Sequence, residues 1–339
     1  MSVDALPYAY GGPPLRGTLR AKPADFFVDE QLGFEPTGSG EHFFVQVEKA
    51  GANTDWVAKQ LAAFAGVPAM AVSWSGMKDR HAVTRQWFSV QLPGKGDPDW
   101  SSLAIEGVSL LDARRHNRKL KRGVHRGNRF RIRLRAISGD RDAAQALIEM
   151  IARQGVPHYF GEQRFGRGGD NLGLARSLFA GRRLPRDQRG FALSAARSYL
   201  FNQVLAARVE DGTWNRATDG DVFMLAGTHS VFGPELIDEA LRERIDRLDI
   251  HPTGAMWGRG DLRSTGIVGE LESTIAEADA DLVAGLVKHE LDQQRRALRL
   301  IASDLITTWE GNDLILDFGL ESGAFATVVI RELCNTSTG

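Results

Sequence analysis

The chain has 339 residues, 42% of them hydrophobic and 25% charged, with a mean hydropathy of −0.25 and a formal net charge of −1. This balance excludes a disordered polymer and a membrane-embedded protein, and the length predicts two domains built on one large core or two moderate ones. A lone cysteine, Cys334, excludes an intramolecular disulfide. Without a Cys/His set it also excludes a structural zinc site, and with no leader-like or spanning apolar stretch it points to the reducing cytoplasm.

Residues 41–49 read as a strand and 53–66 as a helix, with Asn53 or Thr54 as its N-cap and Val57, Leu61 and Phe64 at helical spacing. A strand at 71–74 gives way to Ser75-Gly76-Met77-Lys78-Asp79-Arg80-His81, where a glycine and four ionisable residues break the apolar pattern, before a strand resumes at 86–90. Polar residues on a loop between two buried strands are well placed for function. Residues 128–135 alternate strictly, with Phe130, Ile132 and Leu134 on one face and Arg129, Arg131, Arg133 and Arg135 on the other. A helix is expected at 140–154, broken by Gly155-Val156-Pro157 and followed by a glycine-rich stretch at 161–169. Beyond it, 193–209, 234–248 and 271–303 read as helices with a short strand at 221–225, and 313–320 and 324–333 as a closing strand and helix.

The near-zero net charge hides an asymmetry. Residues 114–135 carry eleven Lys or Arg and no acid, leaving 31 basic residues (42 minus 11) against all 43 acids elsewhere. Eleven uncompensated cations repel one another unless a polyanion binds there, so this stretch points to nucleic acid or phosphate, with a solvated charged face as the plain alternative.

Asp79 stands between Lys78 and Arg80. As a bare pattern that is a surface charge cluster, but on this loop, with Trp74 and Trp87 in the flanking strands to exclude water, the carboxylate can serve as nucleophile or base. His81, lacking a second ligand or a partner serine, reads as structural. The 161–169 loop is not a nucleotide-triphosphate motif; Arg164 and Arg167 suit an RNA backbone, or the loop is a domain junction. Asn128 has the amide needed to read a base edge, although Gly-Asn is also an ordinary turn, and Phe26 and Phe325 are core residues or stacking platforms for an unstacked base.

Five segments, in order, give the chain a family resemblance. They are Pro23-Ala24-Asp25-Phe26-Phe27-Val28-Asp29-Glu30; Gly76-Met77-Lys78-Asp79-Arg80-His81-Ala82-Val83-Thr84-Arg85-Gln86; Arg115-His116-Asn117-Arg118-Lys119-Leu120 running to Gly127-Asn128-Arg129-Phe130; Tyr159-Phe160-Gly161-Glu162-Gln163-Arg164-Phe165-Gly166; and Gly323-Ala324-Phe325-Ala326-Thr327 before Arg331-Glu332-Leu333. Together they resemble the TruD family of tRNA pseudouridine synthases, from about residue 8 to the C-terminus. The resemblance implies an α+β fold: a catalytic domain of mixed, largely antiparallel sheet with flanking helices at 1–153 and 301–339, interrupted by a TruD-specific α/β insertion at 154–300. It places Asp79 on the catalytic aspartate and Phe26, Asn128 and Phe325 on substrate-contacting positions. Phe130 falls where most other pseudouridine synthases carry tyrosine, and Arg20 where a basic partner of the aspartate is expected. Arg129, Arg131, Arg133, Arg135 and Arg164 are the expected contacts to the RNA backbone.

The implied reaction cleaves the N1 glycosidic bond of a tRNA uridine, at position 13 by the resemblance, turns the base and joins C5 to the same sugar carbon. Nothing is oxidised or added, so no cofactor or metal is expected, and the partner is tRNA with no obligate protein partner, the chain acting as a monomer. Two other readings stay open: a tRNA-binding protein without chemistry, and a nucleoside or RNA hydrolase using Asp79 and His81 as an acid/base pair.

Overall fold

The structure is a computed structural model describing residues 5–94 and 96–338, without the side chains of residues 167 and 338; the Arg167 contact expected above therefore lies outside it. The chain divides into two units. One comprises Leu15–Asp140, Ser303–Gly323 and the residues from Asn335 on; the other comprises the residues up to Pro14, Arg141–Ala302 and Ala324–Cys334.

The first unit is built on a ten-stranded sheet, numbered here along the whole chain. Its strands are β1 (Leu15–Leu19), β2 (Phe26–Gln31), β3 (His42–Lys49), β4 (Val72–Trp74), β5 (Val83–Gln91), β6 (Val108–His116), β7 (Gly127–Gly139), β14 (Ser303–Glu310), β15 (Asp313–Glu321) and β16 (Cys334–Thr338). The order is β14-β15-β7-β2-β5-β3-β6, with β1 on β7, β16 on β1 and β4 on β5. The ladders with described registers are antiparallel except β2 with β5, so the sheet is mixed and largely antiparallel as expected. Helix α1 (Thr54–Phe64) covers one face because Val57, Ala58, Leu61 and Ala62 recur at three- and four-residue spacing, and they pack on Phe43, Val45, Val47, Phe88, Val90 and Trp100. A smaller cluster of Leu32, Phe44, Trp87 and Leu120 forms separately. The alternation along β7 holds, with Phe130, Ile132 and Leu134 buried.

The second unit holds α2 (Arg141–Gln154), α3 (Asp170–Phe179), α4 (Arg186–Glu210), α5 (Glu239–Asp246), α6 (Gly266–Ala278), α7 (Ala280–Lys288) and α8 (Ala326–Leu333). With them are β8 (Val156–Pro157), β9 (Phe223–Leu225), β10 (Val231–Phe232), β11 (Ile250–Met256), β12 (Gln294–Ala297) and β13 (Arg299–Leu300). A four-stranded sheet runs β10-β9-β11-β12, and β8 pairs with β13. Long α4 packs against α3, α6 and α7 around Ala192, Ala196, Leu200, Leu282 and Leu286. Two buried ion pairs, Arg208 with Asp221 and Arg295 with Glu272, fasten α4 and α6 to their surroundings. No helix among the described residues is long and apolar enough to cross a membrane.

The structure corrects one expectation. The single helix at 271–303 is two helices broken at Asp279 (φ −124°, ψ 44°), and then two strands. The segment from Gln294 forms a ladder because β11 offers it a partner and Arg295 buries against Glu272 and the Thr253 carbonyl, so tertiary pairing overrides local propensity. The second unit includes residues on either side of 154–300 as well. It takes in α2 and α8, which pack on each other, and an N-terminal segment held by α8. There Arg331 donates to the Leu6 carbonyl at 2.6 Å, and the Ala9 amide donates to the Glu332 carboxylate at 3.0 Å.

Candidate active site

Asp79 lies on the 75–82 loop between β4 and β5, and every turn of that loop is tied to the sheet. Glu30 sits on β2 at the same parity as Phe26 and Val28, so it points into the interior, where its carboxylate is fully buried and pairs with the Lys78 ammonium. Its other oxygen accepts the Trp87 amide at 3.2 Å. Thr54, the first residue of α1, donates its hydroxyl to Gln86 at 3.0 Å and accepts the Lys78 amide at 3.0 Å, while the Gln86 amide donates to the Gly76 carbonyl. Lys49, buried at the end of β3, donates to the carbonyls of Ala52 at 2.9 Å and Asp79 at 3.4 Å. Asp79 is thus presented by a fixed backbone.

Its carboxylate stays accessible. The side chain is 27% exposed; Oδ2 lies 3.2 Å from an Arg20 guanidinium nitrogen and Oδ1 accepts the His81 amide at 2.9 Å. Arg20 occupies the left-handed region (φ 59°), unusual for a residue with a β-carbon, and its guanidinium lies 4.3 Å from the Phe26 ring centre. Phe26 meets Phe130 edge to face at 6.3 Å, and Phe130 in turn stacks on Phe318 at 5.6 Å. Asn128 lies opposite Glu30 in the β2–β7 ladder, and its buried Oδ1 has no hydrogen-bond partner. Burial holds the His125 imidazole below its ordinary value, so a neutral ring links Ser75 to the Asn128 amide.

The structure therefore brings Arg20, Phe26, Asp79, Asn128 and Phe130 into one region of the first unit. Phe325, in the second unit, caps the start of α8 and meets Phe160 edge to face at 6.4 Å. The Phe160 backbone is clamped by both ends of the Asn202 amide, at 2.9 and 3.0 Å. Arg164 is half-buried, bonded to Ser194 at 2.8 Å and 5.8 Å from the Phe325 ring centre, and burial lowers its affinity for a proton.

Several roles expected from sequence need correction. Trp74 packs with the α1 core and Trp87 with the separate Leu32 cluster, so neither is a shared wall around Asp79. His81 engages Asp79 through its backbone rather than its ring, and the ring is exposed, which leaves the Asp/His hydrolase without its pair. The solvated cationic face of β7 is also altered. Arg129 pairs with Asp317 and Asp304, Arg133 with Glu310 and Asp313, and Arg135 with Asp25 and Asp313. The β14–β15 hairpin supplies most of these acids from far along the chain, so a run acid-free in sequence is not acid-free in space. Only Arg131 of the four is exposed without an ion pair among the described residues.

Sequence reasoning missed Lys49, Thr54, Gln86, Ser75 and His125, and it quoted Glu30 without a role. The missed signal was parity: Glu30 and Lys49 stand where their strands otherwise bury apolar side chains. Burial lowers the Lys49 ammonium to about 8. Because this folded value lies below the ordinary 10.5, the native state sheds its proton before the unfolded chain does. The stability cost of the buried charge is present below pH 8 and is relieved between there and 10.5. Lys49→Met should keep the fold at pH 7, slow turnover by about tenfold, the order of one lost hydrogen bond to a charged group, and erase an alkaline inflection near pH 8. An unchanged pH–rate profile in the variant would remove Lys49 from the support of Asp79.

The site is thus a fixed, accessible carboxylate beside an arginine and a phenylalanine ring on a mixed sheet. The comparisons give its family. The sequence model of tRNA pseudouridine synthase D (TruD) matches residues 2–171 and 176–333. A tRNA pseudouridine synthase D of Methylococcus capsulatus is 50% identical, covering 97% of this chain and 94% of its own length. One of Aeromonas salmonicida is 48% identical over 98% and 94%. A Methanosarcina mazei protein solved as a candidate TruD superposes with a TM-score of 0.71 at 22% identity, covering 96% of this chain and 95% of its own, which bears on the fold. This chain belongs to the TruD family.

Proposed function

We propose that the chain isomerises a uridine of tRNA, at position 13, to pseudouridine, with Asp79 as the catalytic carboxylate. The observation that carries this reading is the Asp79–Arg20 pair over Phe26, held by a loop that falls within the family match. Asp79 either attacks C1′ or takes the C2′ proton to give a glycal. Both routes need an accessible carboxylate whose backbone does not move, which the Glu30–Lys78 and Thr54–Gln86 contacts provide. The target base has to leave its stack. Phe26 offers a π-face for it, Phe130 braces Phe26 from beneath, and Oδ1 of Asn128, which accepts no hydrogen bond among the described residues, suits a donor such as uracil N3–H. Arg131 and Arg164 are the backbone contacts of the original set whose guanidiniums hold no carboxylate among the contacts described. The enzyme works as a monomer in the cytoplasm, without a cofactor.

Incubating the pure protein with unmodified tRNA and mapping the product tests this directly. A nucleoside of unchanged mass at position 13 is the expected result. Free uracil or a cut strand would mean hydrolysis, and unaltered tRNA despite tight binding would mean a binding protein. Since the net reaction only rearranges bonds within one nucleotide, activity should also survive exhaustive chelation and dialysis. A requirement for added metal or nucleotide would end the cofactor-free mechanism.

A further inference from the structure

The eleven cations of residues 114–135 separate into two groups in the folded chain. Arg114, Arg115, Arg129, Arg133 and Arg135 are each paired with a carboxylate from outside the run. Of the remaining six, five lie in the nine residues between Arg118 and Arg126: Arg118, Lys119, Lys121, Arg122 and Arg126. All five are exposed, and none has an ion pair among the described residues. The segment contains no acid.

This loop is also anchored. Leu120 is buried in the Leu32, Phe44 and Trp87 cluster, and its carbonyl accepts the Ser73 hydroxyl at 2.9 Å. The Gly123 amide donates to the Ser75 carbonyl at 2.8 Å, the His125 amide to the Ser75 hydroxyl at 3.0 Å, and the Arg126 amide to the Gln31 carbonyl at 2.9 Å. Gly33 lies flush against it: a β-carbon there would come within 2.7 Å of the Arg126 β-carbon, and its φ of +81° also favours glycine. Two inward residues, Leu120 and His125, thus hold a short loop whose cations all face water. Its anchor, Ser75, lies four residues before Asp79.

Like charges held this close, without a compensating acid, raise the energy of the free protein and lower it again when a polyanion binds. We propose that the loop of residues 117–126 between β6 and β7 is the phosphate-binding surface that holds the tRNA backbone next to the Asp79 loop, in place of the arginine face of β7. The proposal rests on tRNA being the substrate. Because the cations are already positioned, binding orders little of the loop, and the cost of association falls accordingly.

Binding of tRNA over a salt series tests it on three full-length proteins: wild type, Lys121→Gln with Arg122→Gln, and Arg129→Gln with Arg133→Gln. Each phosphate contact contributes roughly 0.7 to 0.9 to the slope of log affinity against log salt. The loop variant should flatten the slope by about one to two units and bind roughly ten- to twentyfold more weakly at 0.15 M salt. Its thermal midpoint should not fall below the wild-type value, since neither side chain has an ion pair to lose among the described residues and the repulsion among the loop cations is eased. The strand variant should keep the wild-type slope. A loop variant whose line superimposes on wild type, or a strand variant that alone flattens the slope, overturns the proposal. If wild type itself binds tRNA without salt dependence, or not at all, the substrate reading fails first and this surface with it.

Discussion

Asp79→Asn is expected to reduce turnover by at least about 1,000-fold, the loss usual for an essential catalytic group, while tRNA affinity stays within a few-fold of wild type. The amide is isosteric. Its single oxygen can still accept the His81 amide, so that contact survives, while the amide nitrogen replaces the oxygen paired with Arg20. What is lost is the ability to attack a carbon or take a proton. Single-turnover assays with excess enzyme separate chemistry from product release, and binding measured in parallel shows whether the site still accepts RNA. Turnover above a few per cent of wild type would displace Asp79 from the centre of the mechanism and reopen the search among the neighbouring polar groups.

Glu30→Ala should be the most damaging change that leaves the catalytic side chain in place. Glu30 is fully buried and the Lys78 side chain only 7% exposed, so the variant leaves an ammonium with little water and no counter-charge. Breaking a buried pair from one side typically costs about 3–5 kcal/mol. The Trp87 amide loses its acceptor as well. Because Lys78 immediately precedes Asp79, any shift that rehydrates the ammonium also moves the catalytic carboxylate, so residual activity should fall together with stability. Pairing Glu30→Gln with Lys78→Met removes both charges and should recover most of the stability, since a neutral pair of similar volume carries no desolvation cost. Denaturant unfolding of the two variants beside wild type reads this out. A loss below about 1 kcal/mol for Glu30→Ala, within the range of an exposed pair, would show that water reaches Lys78 and that the loop is not held as described.

The Asp79 loop was legible as a polar interruption because it breaks the apolar pattern around it. Phe130, Ile132 and Leu134 were equally plain, since strict alternation has one physical meaning. The supports of the site were less legible. Glu30 and Lys49 look like ordinary charges until β2 and β3 are known to bury the face they stand on, and Gln86 joins Thr54 only because α1 begins beside β5. The ion pairs of the β7 arginines were hidden for a related reason. Their acids come from Asp304 to Asp317, some 180 residues later, as the Arg133–Asp313 separation shows. The helix expected at 271–303 failed at Gln294–Ala297, where a polar, helix-favouring segment was captured by a strand partner that local sequence does not reveal.

Both ends of the chain are woven into the units that they close. In one unit, Leu6 and Ala9 are held by Arg331 and Glu332, contacts 325 and 323 residues apart. In the other, β16 near the C-terminus completes the sheet beside β1 near the start. Such contacts close very long loops, and contacts of that separation are slow to form. Loss of β16 therefore opens the edge of β1, which lies far from it in sequence, and an open edge invites association with a second copy before folding is complete.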